Sequence, residues 1–185
     1  MKHLVAVAVM IVVSIGVGAS QRPDESEFAR ALSAYMADHR AAEDGLPATQ
    51  ASPLTLQSVE TTMAARLRAR RPGARPGYIL GPVAERIRAV VREEIGGPQG
   101  TSMLASIEES NIHGVRARIN RRYPPGLPRA TMPSPMLAKL PPIPAELEYR
   151  FLGRSLLLVD ARASLVIDVL QEVLPAQVAT RRSPQ

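Results

Sequence analysis

Up to about residue 110, hydrophobic positions recur every three or four residues, the spacing that gathers them on one side of a helix. This spacing predicts four amphipathic helices, over about 26–42, 55–70, 82–96 and 101–109. The residues at the helix ends agree with this prediction, because acidic residues begin the first helix and Pro-Gly or Gly-Pro pairs end the second and third. Val115, Ala117 and Ile119 then alternate with polar residues, which predicts an edge strand with one basic face.

The stretch "LEYRFLGRSLLLVDARASLVID", residues 147–168, follows a different pattern. Its apolar residues alternate or run together in three short blocks, and turn residues at 153–154 and 160–163 separate the blocks. This pattern favours a three-stranded antiparallel meander that buries Leu157, Leu158 and Ile167. The alternative is a helix over 161–174, because Ala, Arg and Leu are good helix formers.

Proline is dense before this stretch, with eight prolines in residues 123–144. Such density forbids a long regular element, yet the apolar side chains among the prolines would be costly to leave in water. We therefore expect a proline-rich strap over 124–144 that lies on the domain, with a short helical turn at 134–140. Since three strands need a covering layer, the expected fold class is α+β, with four N-terminal helices packing on a small antiparallel β-meander at the C-terminus.

The N-terminus has the three parts of a secretory signal peptide. A basic head containing Lys2 precedes an apolar run over 4–17, and small residues follow at 18–20. We expect cleavage after Ala19 or Ser20, giving a periplasmic or secreted protein without a membrane span. The alternative is an uncleaved anchor, although the run is shorter than the about 20 residues of a spanning helix. The expected organisation is a signal peptide at 1–20, a single domain over 21–178 and a disordered basic tail at 179–185.

The composition excludes some chemistry and favours arginine. The chain contains no cysteine, which rules out disulfides, thiol catalysis, thiolate metal sites and a lipid-modified cysteine. Its net charge is +6 at pH 7, and the only lysines are Lys2 and Lys139. Arginine keeps its charge in any environment and binds carboxylate or phosphate through paired hydrogen bonds.

Two arginine-rich segments contain no acidic residue: "ARLRARRPGARPG" at 65–77 and "VRARINRRYP" at 115–124. They predict contact with an anionic envelope component or an acidic protein through Arg66, Arg68, Arg70, Arg71, Arg75, Arg116, Arg118, Arg121 and Arg122. The alternative is that these charges only solvate the surface. Nucleic acid is disfavoured, because the chain has no Trp, two Phe and four Tyr as stacking platforms.

Residues for catalysis are sparse, and we expect no cofactor and no metal. No Gly-x-Ser-x-Gly elbow, phosphate loop or dinucleotide fingerprint occurs. Two carboxylate pairs have no pocket that the sequence alone can place, Asp38 with Glu43 and Asp160 with Asp168. A non-catalytic function is therefore expected. The alternative is a hydrolase or metal-binding protein whose site combines His39 and His113 with nearby carboxylates such as Glu108 and Glu109.

A resemblance to known sequences rests on three parts of the chain. They are "ARPGYILGPVAERIR", "RINRRYP", and the proline strap followed by "LEYRFLGRSLLLVD". In these parts the chain resembles a group of uncharacterised exported bacterial proteins, and the resemblance implies no particular activity. In hydrophobic pattern, residues 149–170 also resemble the C-terminal hairpin of periplasmic proteins of the nickel/cobalt-homeostasis type. No metal role is carried over to this chain.

Overall fold

The computed structural model describes residues 22–47, 53–112, 114–123, 126 and 132–176. The described helices are α1 (Pro23–Glu43), α2 (Pro53–Arg70), α3 (Ala84–Gly96), α4 (Gly100–Ser110) and α5 (Ser134–Lys139). The described strands are β1 (Leu147–Leu152), β2 (Ser155–Asp160) and β3 (Leu165–Leu170). This order confirms the α+β class, with helices first and the antiparallel sheet at the C-terminus. The expected signal peptide and basic tail lie outside the described residues.

The N-terminal helices form where the hydrophobic spacing predicts them. Asp24 and Glu25 lie in the first turn of α1, where the positive end of the helix dipole stabilises acidic side chains. α3 begins at Ala84 rather than at 82, because residues 76–83 form consecutive turns. The buried stripe of α1 recurs at helical spacing and consists of Phe28, Leu32, Tyr35, Met36, His39 and Ala42.

The predicted meander is confirmed, in the order β1-β2-β3 with both pairs antiparallel. The two-residue turn between β1 and β2 contains Gly153 at φ +56°, a left-handed conformation that favours glycine. In the next turn, the Asp160 carboxylate accepts a hydrogen bond from the Ala163 N–H at 2.8 Å. The alternative of a helix over 161–174 is wrong, because β3 occupies its centre.

Both faces of the sheet are covered by apolar side chains. One face packs against the helices in the main core and contributes Phe151, Leu156, Leu158, Leu165 and Ile167. The opposite face forms a second, smaller cluster with Tyr123, through Leu152, Leu157, Val159, Val166 and Val169. Because successive strand residues point to opposite faces, the continuous apolar run of β2 serves both clusters. The predicted burial of Leu157, Leu158 and Ile167 is confirmed.

Residues 115–119 do not form the edge strand that their alternation predicts. Two of their apolar side chains are partly buried against the second cluster, while their arginines are exposed. Backbone pairing with β3 begins only afterwards, where the Asn120 N–H donates to the Val166 carbonyl at 2.9 Å and the Val166 N–H donates to the Arg121 carbonyl at 3.0 Å. The alternation therefore reflects burial on one side without a regular hydrogen-bonded ladder.

α5 confirms the short helical turn expected in the proline strap. Met132, Met136 and Leu140 are buried in the main core, so the described part of the strap packs on the helices and sheet. Residues 124–131, apart from Gly126, lie outside the described residues. In the ranges that the structure describes, no helix is both long enough and apolar enough to cross a membrane.

Candidate functional site

Two fully buried carboxylates lie on neighbouring strands, Asp160 at the end of β2 and Asp168 within β3. A carboxylate is stable in such a place only when donors or a cation replace the water that it has lost. The structure gives each of the two acids a separate set of donors. The donors identify the segment of the chain that each carboxylate joins to the sheet.

Asp160 joins α1 to the sheet. Its Oδ2 accepts a 2.6 Å hydrogen bond from the Tyr35 hydroxyl and lies 2.6 Å from His39 Nδ1. Tyr35 and His39 are four residues apart on α1, so both rings lie on the same face of the helix. The hydrogen bond to Asp160 raises the pKa of His39 above its ordinary value, although burial acts in the opposite direction. Burial and the nearby Asp160 charge raise the pKa of Tyr35, which keeps the phenol neutral.

The second ring nitrogen of His39 is enclosed as well. Its Nε2 makes no hydrogen bond with any described residue and lies 3.8 Å from Glu43 Oε2. Glu43 forms a 2.7 Å ion pair with Arg162, which belongs to the turn after β2. Since only 1% of His39 is exposed, its imidazole does not reach solvent, where a dissolved substrate would be.

The structure describes only part of the alternative catalytic or metal site. Glu108 and Glu109 stand near the end of α4, and His113 lies outside the described residues. Within the described ranges, no group of three or more His, Asp or Glu side chains is placed to hold a metal ion. The structure therefore assigns His39 to the link between α1 and the sheet.

Asp168 fastens the connection between α2 and α3 to the sheet. Its Oδ1 accepts the Gly77 N–H at 2.7 Å, and its Oδ2 accepts the N–H groups of Ile79 and Leu80 at 2.6 and 2.7 Å. The Val169 N–H completes the set at 2.7 Å. Hydrogen bonds to a charged acceptor are stronger than neutral ones, so this carboxylate holds residues 77–80 in one conformation.

A groove runs between α1 and this connection, and we call it the α1 groove. Its two adjoining compartments, of about 710 and 310 Å³, share Ala31, Ala34 and Tyr78 as walls. The two alanines face the connection and leave room, because their side chains are single methyl groups. The charged side chains that line the groove are Glu27, Arg30, Asp38, Arg70, Arg71 and Arg75.

Arg66 and Arg122 are among the predicted arginines whose guanidinium groups contact other parts of the chain. Arg66 donates to the carbonyl oxygens of Ala42 and Asp44 at 3.0 and 2.7 Å, where the last turn of α1 leaves carbonyls without helical partners. Arg122 forms an ion pair with Glu60 of α2. Both arginines therefore contribute to holding segments of the fold together.

Arg71 is also held within the structure. Its guanidinium carbon lies 5.0 Å from the centroid of the Tyr35 ring, and its Nη2 donates to the Ile167 carbonyl at 2.9 Å. Partial burial lowers the pKa of Arg71, yet the group stays charged at neutral pH because an arginine pKa begins above 12. Arg71 therefore lines the groove with a guanidinium group that is already bonded to the sheet.

A tight turn brings the two arginine-rich segments together. The Arg121 N–H donates to the Arg118 carbonyl at 3.2 Å, and Asn120 within the turn has φ +58°. The Asn120 amide donates to the Arg71 carbonyl at 2.7 Å and accepts a hydrogen bond from Arg71 Nη1 at 3.4 Å. These contacts clamp the turn to the end of α2.

Helix geometry places Arg68 near this turn. Arg122 contacts α2 at Glu60 and Thr61, and seven residues of helix place Arg68 on the same face as Thr61. The contacts of the turn with α2 therefore lie on both sides of Arg68. Three side chains are exposed here and make no hydrogen bond or ion pair with any described residue. We call them the arginine turn surface: Arg68, Arg118 and Arg121.

The remaining predicted arginines lie in two further places. Arg70 and Arg75 line the α1 groove, and Arg70 Nη1 is 4.0 Å from Asp38 Oδ1. Arg116 lines a separate groove of about 730 Å³ beside the β1–β2 turn, together with Arg154. The nine arginines are thus divided among structural contacts, two grooves and one exposed surface.

Sequence reasoning missed Arg30, Tyr78 and Asn120. Arg30 belongs to neither arginine-rich segment, and only the fold brings it to the groove that Arg75 also lines. A signal for Tyr78 is present, because it lies in "PGYILGP", where glycine and proline mark a shaped connection. Asn120 carries the signal of a residue type that tolerates positive φ.

No family model, curated protein or solved structure that was compared with the chain matches it. The resemblance to exported bacterial proteins stays an expectation. Function in any fold resides in particular sites, so the chemistry of these grooves and surfaces is the basis for assigning one.

Proposed function

We propose that this is a non-catalytic exported protein that binds an anionic envelope component, or an acidic protein, through the arginine turn surface. The turn at 118–121 carries the proposal, because it holds two exposed guanidinium groups at its ends with Arg68 beside them. The export part rests on the signal-like N-terminal segment.

Electrostatics favours an anion at this surface. Like charges held close together repel one another unless an opposite charge lies between them. Here Asn120 holds the turn against α2, which keeps these arginines close together. The carboxylate of the nearby Glu60 is already paired with Arg122. An anionic group from a partner would relieve the repulsion, and guanidinium groups bind phosphate or carboxylate in paired hydrogen bonds.

The surroundings favour an envelope anion or an acidic protein over nucleic acid. Binding of single-stranded nucleic acid usually combines a basic groove with exposed aromatic rings on which bases stack. The aromatic residue nearest in sequence to the turn, Tyr123, is 5% exposed and packs in the second cluster. The surface therefore offers charge and hydrogen bonds with little stacking area.

The test compares two charge-reversed variants of the mature protein. The surface variant carries Arg68→Glu, Arg118→Glu and Arg121→Glu, whereas the control carries Arg22→Glu, Arg40→Glu and Arg92→Glu. The control arginines are also exposed and make no hydrogen bond or ion pair through their side chains with described residues. The two variants have the same net charge, so only the position of the change differs. Binding is measured to anionic phospholipid vesicles, lipopolysaccharide and heparin at low and high salt.

We expect wild type and control to bind at least one of these anions and the surface variant to lose that binding. Binding should also weaken with salt, because the Debye length falls from about 10 Å at 0.1 M to about 3 Å at 1 M. Equal binding by the two variants, or no binding by wild type at low salt, contradicts the proposal and returns these arginines to a solvated surface.

A further inference from the structure

The α1 groove has a rigid wall. Asp168 holds residues 77–80 through three backbone hydrogen bonds, and Ile79 and Leu80 are buried in the main core. A Cβ atom added at Gly81 would lie 2.2 Å from the Gly77 carbonyl oxygen, which shows how closely the backbone of this connection packs on itself. Tyr78 therefore projects from a fixed loop, and a fixed wall loses little conformational freedom when a ligand binds.

Tyr78 is exposed in a chain that buries its other described aromatic residues. It is 55% exposed, whereas the others are at most 5% exposed: Phe28, Tyr35, Tyr123, Tyr149 and Phe151. Its position at the junction of the two compartments places an aromatic platform in the middle of the groove. The partly negative face of such a ring attracts C–H groups, such as those on one face of a sugar ring.

Side chains of both charges line the groove around this platform. Arg30 and Arg75 make no side-chain hydrogen bond or ion pair with any described residue, so their donors are available to a phosphate or carboxylate. Glu27 and Asp38 are carboxylates, which accept hydrogen bonds and donate none when ionised. They repel a second anion but suit hydroxyl groups. Of the other two arginines in the groove, Arg71 is bonded to the Ile167 carbonyl and Arg70 lies 4.0 Å from Asp38, so the lining matches a ligand with one anionic group and several hydroxyl groups.

From these features we infer that the α1 groove binds an anionic sugar, either a sugar acid or a sugar phosphate. The sugar ring lies against Tyr78, its anionic group contacts Arg30 and Arg75, and its hydroxyl groups donate to Glu27 or Asp38. The compartments have suitable sizes, because small-molecule pockets commonly measure about 300–1,000 Å³. This inference is independent of the proposed function, since the groove shares no residue with the arginine turn surface.

The experiment titrates the purified protein by isothermal calorimetry with four probes: D-glucuronate, D-glucose 6-phosphate, inorganic phosphate and D-glucose. The variants are Tyr78→Ala and the double substitution Arg30→Gln/Arg75→Gln. The matched control is Arg92→Gln, an exposed arginine of α3. Because these side chains are exposed, the variants are expected to melt like wild type. Amide shifts of Ala31, Ala34 and Gly81 in NMR spectra of wild type provide a second readout that needs no variant.

We expect at least one anionic sugar to bind, to shift those amides, and to bind at least about tenfold more tightly than phosphate or glucose. Tyr78→Ala and the double variant should each weaken binding by about tenfold or more, the loss expected when a packed ring or a charged hydrogen bond is removed. Arg92→Gln and the surface variant with Arg68→Glu, Arg118→Glu and Arg121→Glu should bind the sugar normally. The inference is overturned if neither anionic sugar binds, if phosphate binds as well as the sugar, or if the groove variants bind like wild type.

Discussion

Asp160 and Asp168 are equally buried, yet they respond to different changes because their donors differ. Asp160 faces a titratable imidazole and a phenol, and Asp168 faces backbone N–H groups. A change in pH therefore alters the link between α1 and the sheet through His39. The attachment of the 77–80 connection depends instead on how many hydrogen bonds one side chain accepts.

Removal of the imidazole should change how stability depends on pH. Asp160 raises the folded-state pKa of His39. The stability that the His39–Asp160 pair contributes is therefore fully present below the unfolded pKa of about 6.5, and it is lost as pH rises through the folded pKa. We expect the unfolding free energy of wild type to fall over that window by about 1.4 kcal/mol per unit of pKa elevation. His39→Gln should lack this fall in urea unfolding measured from about pH 6 to pH 9.

The same link can be broken from the carboxylate side. Asp160→Asn should lower the pKa of His39, followed by NMR titration, and should destabilise the protein by about 3–5 kcal/mol, the cost of breaking a buried charge pair. Asp44→Asn, at an exposed acid at the end of α1, is the control and should change stability by less than about 0.5 kcal/mol. An unchanged His39 titration in Asp160→Asn would disprove the link.

Asp168→Asn tests the attachment of the 77–80 connection. Asparagine keeps one acceptor oxygen and replaces the other with an NH₂ group. This group faces backbone N–H donors and cannot accept hydrogen bonds from them. Each buried group left without a partner costs about 1–3 kcal/mol, so we expect a loss of about 3 kcal/mol or more in urea unfolding. Hydrogen exchange should locate the loss, because the amides of Ile79 and Leu80 should exchange faster. Wild-type protection of those amides would contradict the assignment.

At the scale of elements, the sheet depends on both of its covering layers. Leu157 is fully buried in the second cluster, beneath the segment that follows α4. Leu157→Ala should therefore cost about 2–5 kcal/mol, from lost apolar contact and the cavity left behind. The matched control is Leu137→Ala in α5, where the side chain is 47% exposed and the loss should stay below about 1 kcal/mol. Equal unfolding midpoints for the two variants would show that the second cluster contributes little.

The elements that sequence predicts well are those whose pattern is local. Helix spacing and the three apolar blocks report burial directly, and the turns at Gly153 and Asp160 have short-range chemistry. The segment 115–119 shows the limit of this reasoning. Its alternation correctly indicates one-sided burial, but a strand also needs a partner at the right register, and that depends on the arrangement of the whole sheet.

The candidate sites were less predictable for a related reason. The arginine segments could be found by composition, but their division into structural contacts and exposed groups depends on what each guanidinium meets after folding. Arg66 meets the carbonyls at the end of α1, whereas Arg68, only two residues away, points to a different face of α2. The α1 side of the groove left no sequence signal, because Ala31 and Ala34 are ordinary helix residues.

At the scale of the whole molecule, both proposed binding surfaces belong to residues after 26, while the assignment to the envelope depends on the first twenty residues. The basic head, apolar run and small-residue exit predict cleavage after Ala19 or Ser20. N-terminal sequencing of the protein from the periplasm or medium of a secreting host should therefore begin at Ser20 or Gln21. The matched control is the double substitution Ala19→Arg/Ser20→Arg, because signal peptidase requires a small residue before the bond that it cuts, and this variant should retain the full chain. Recovery of the wild type with Met1 or Lys2 in place would instead indicate an anchored protein, with both surfaces presented beside a membrane.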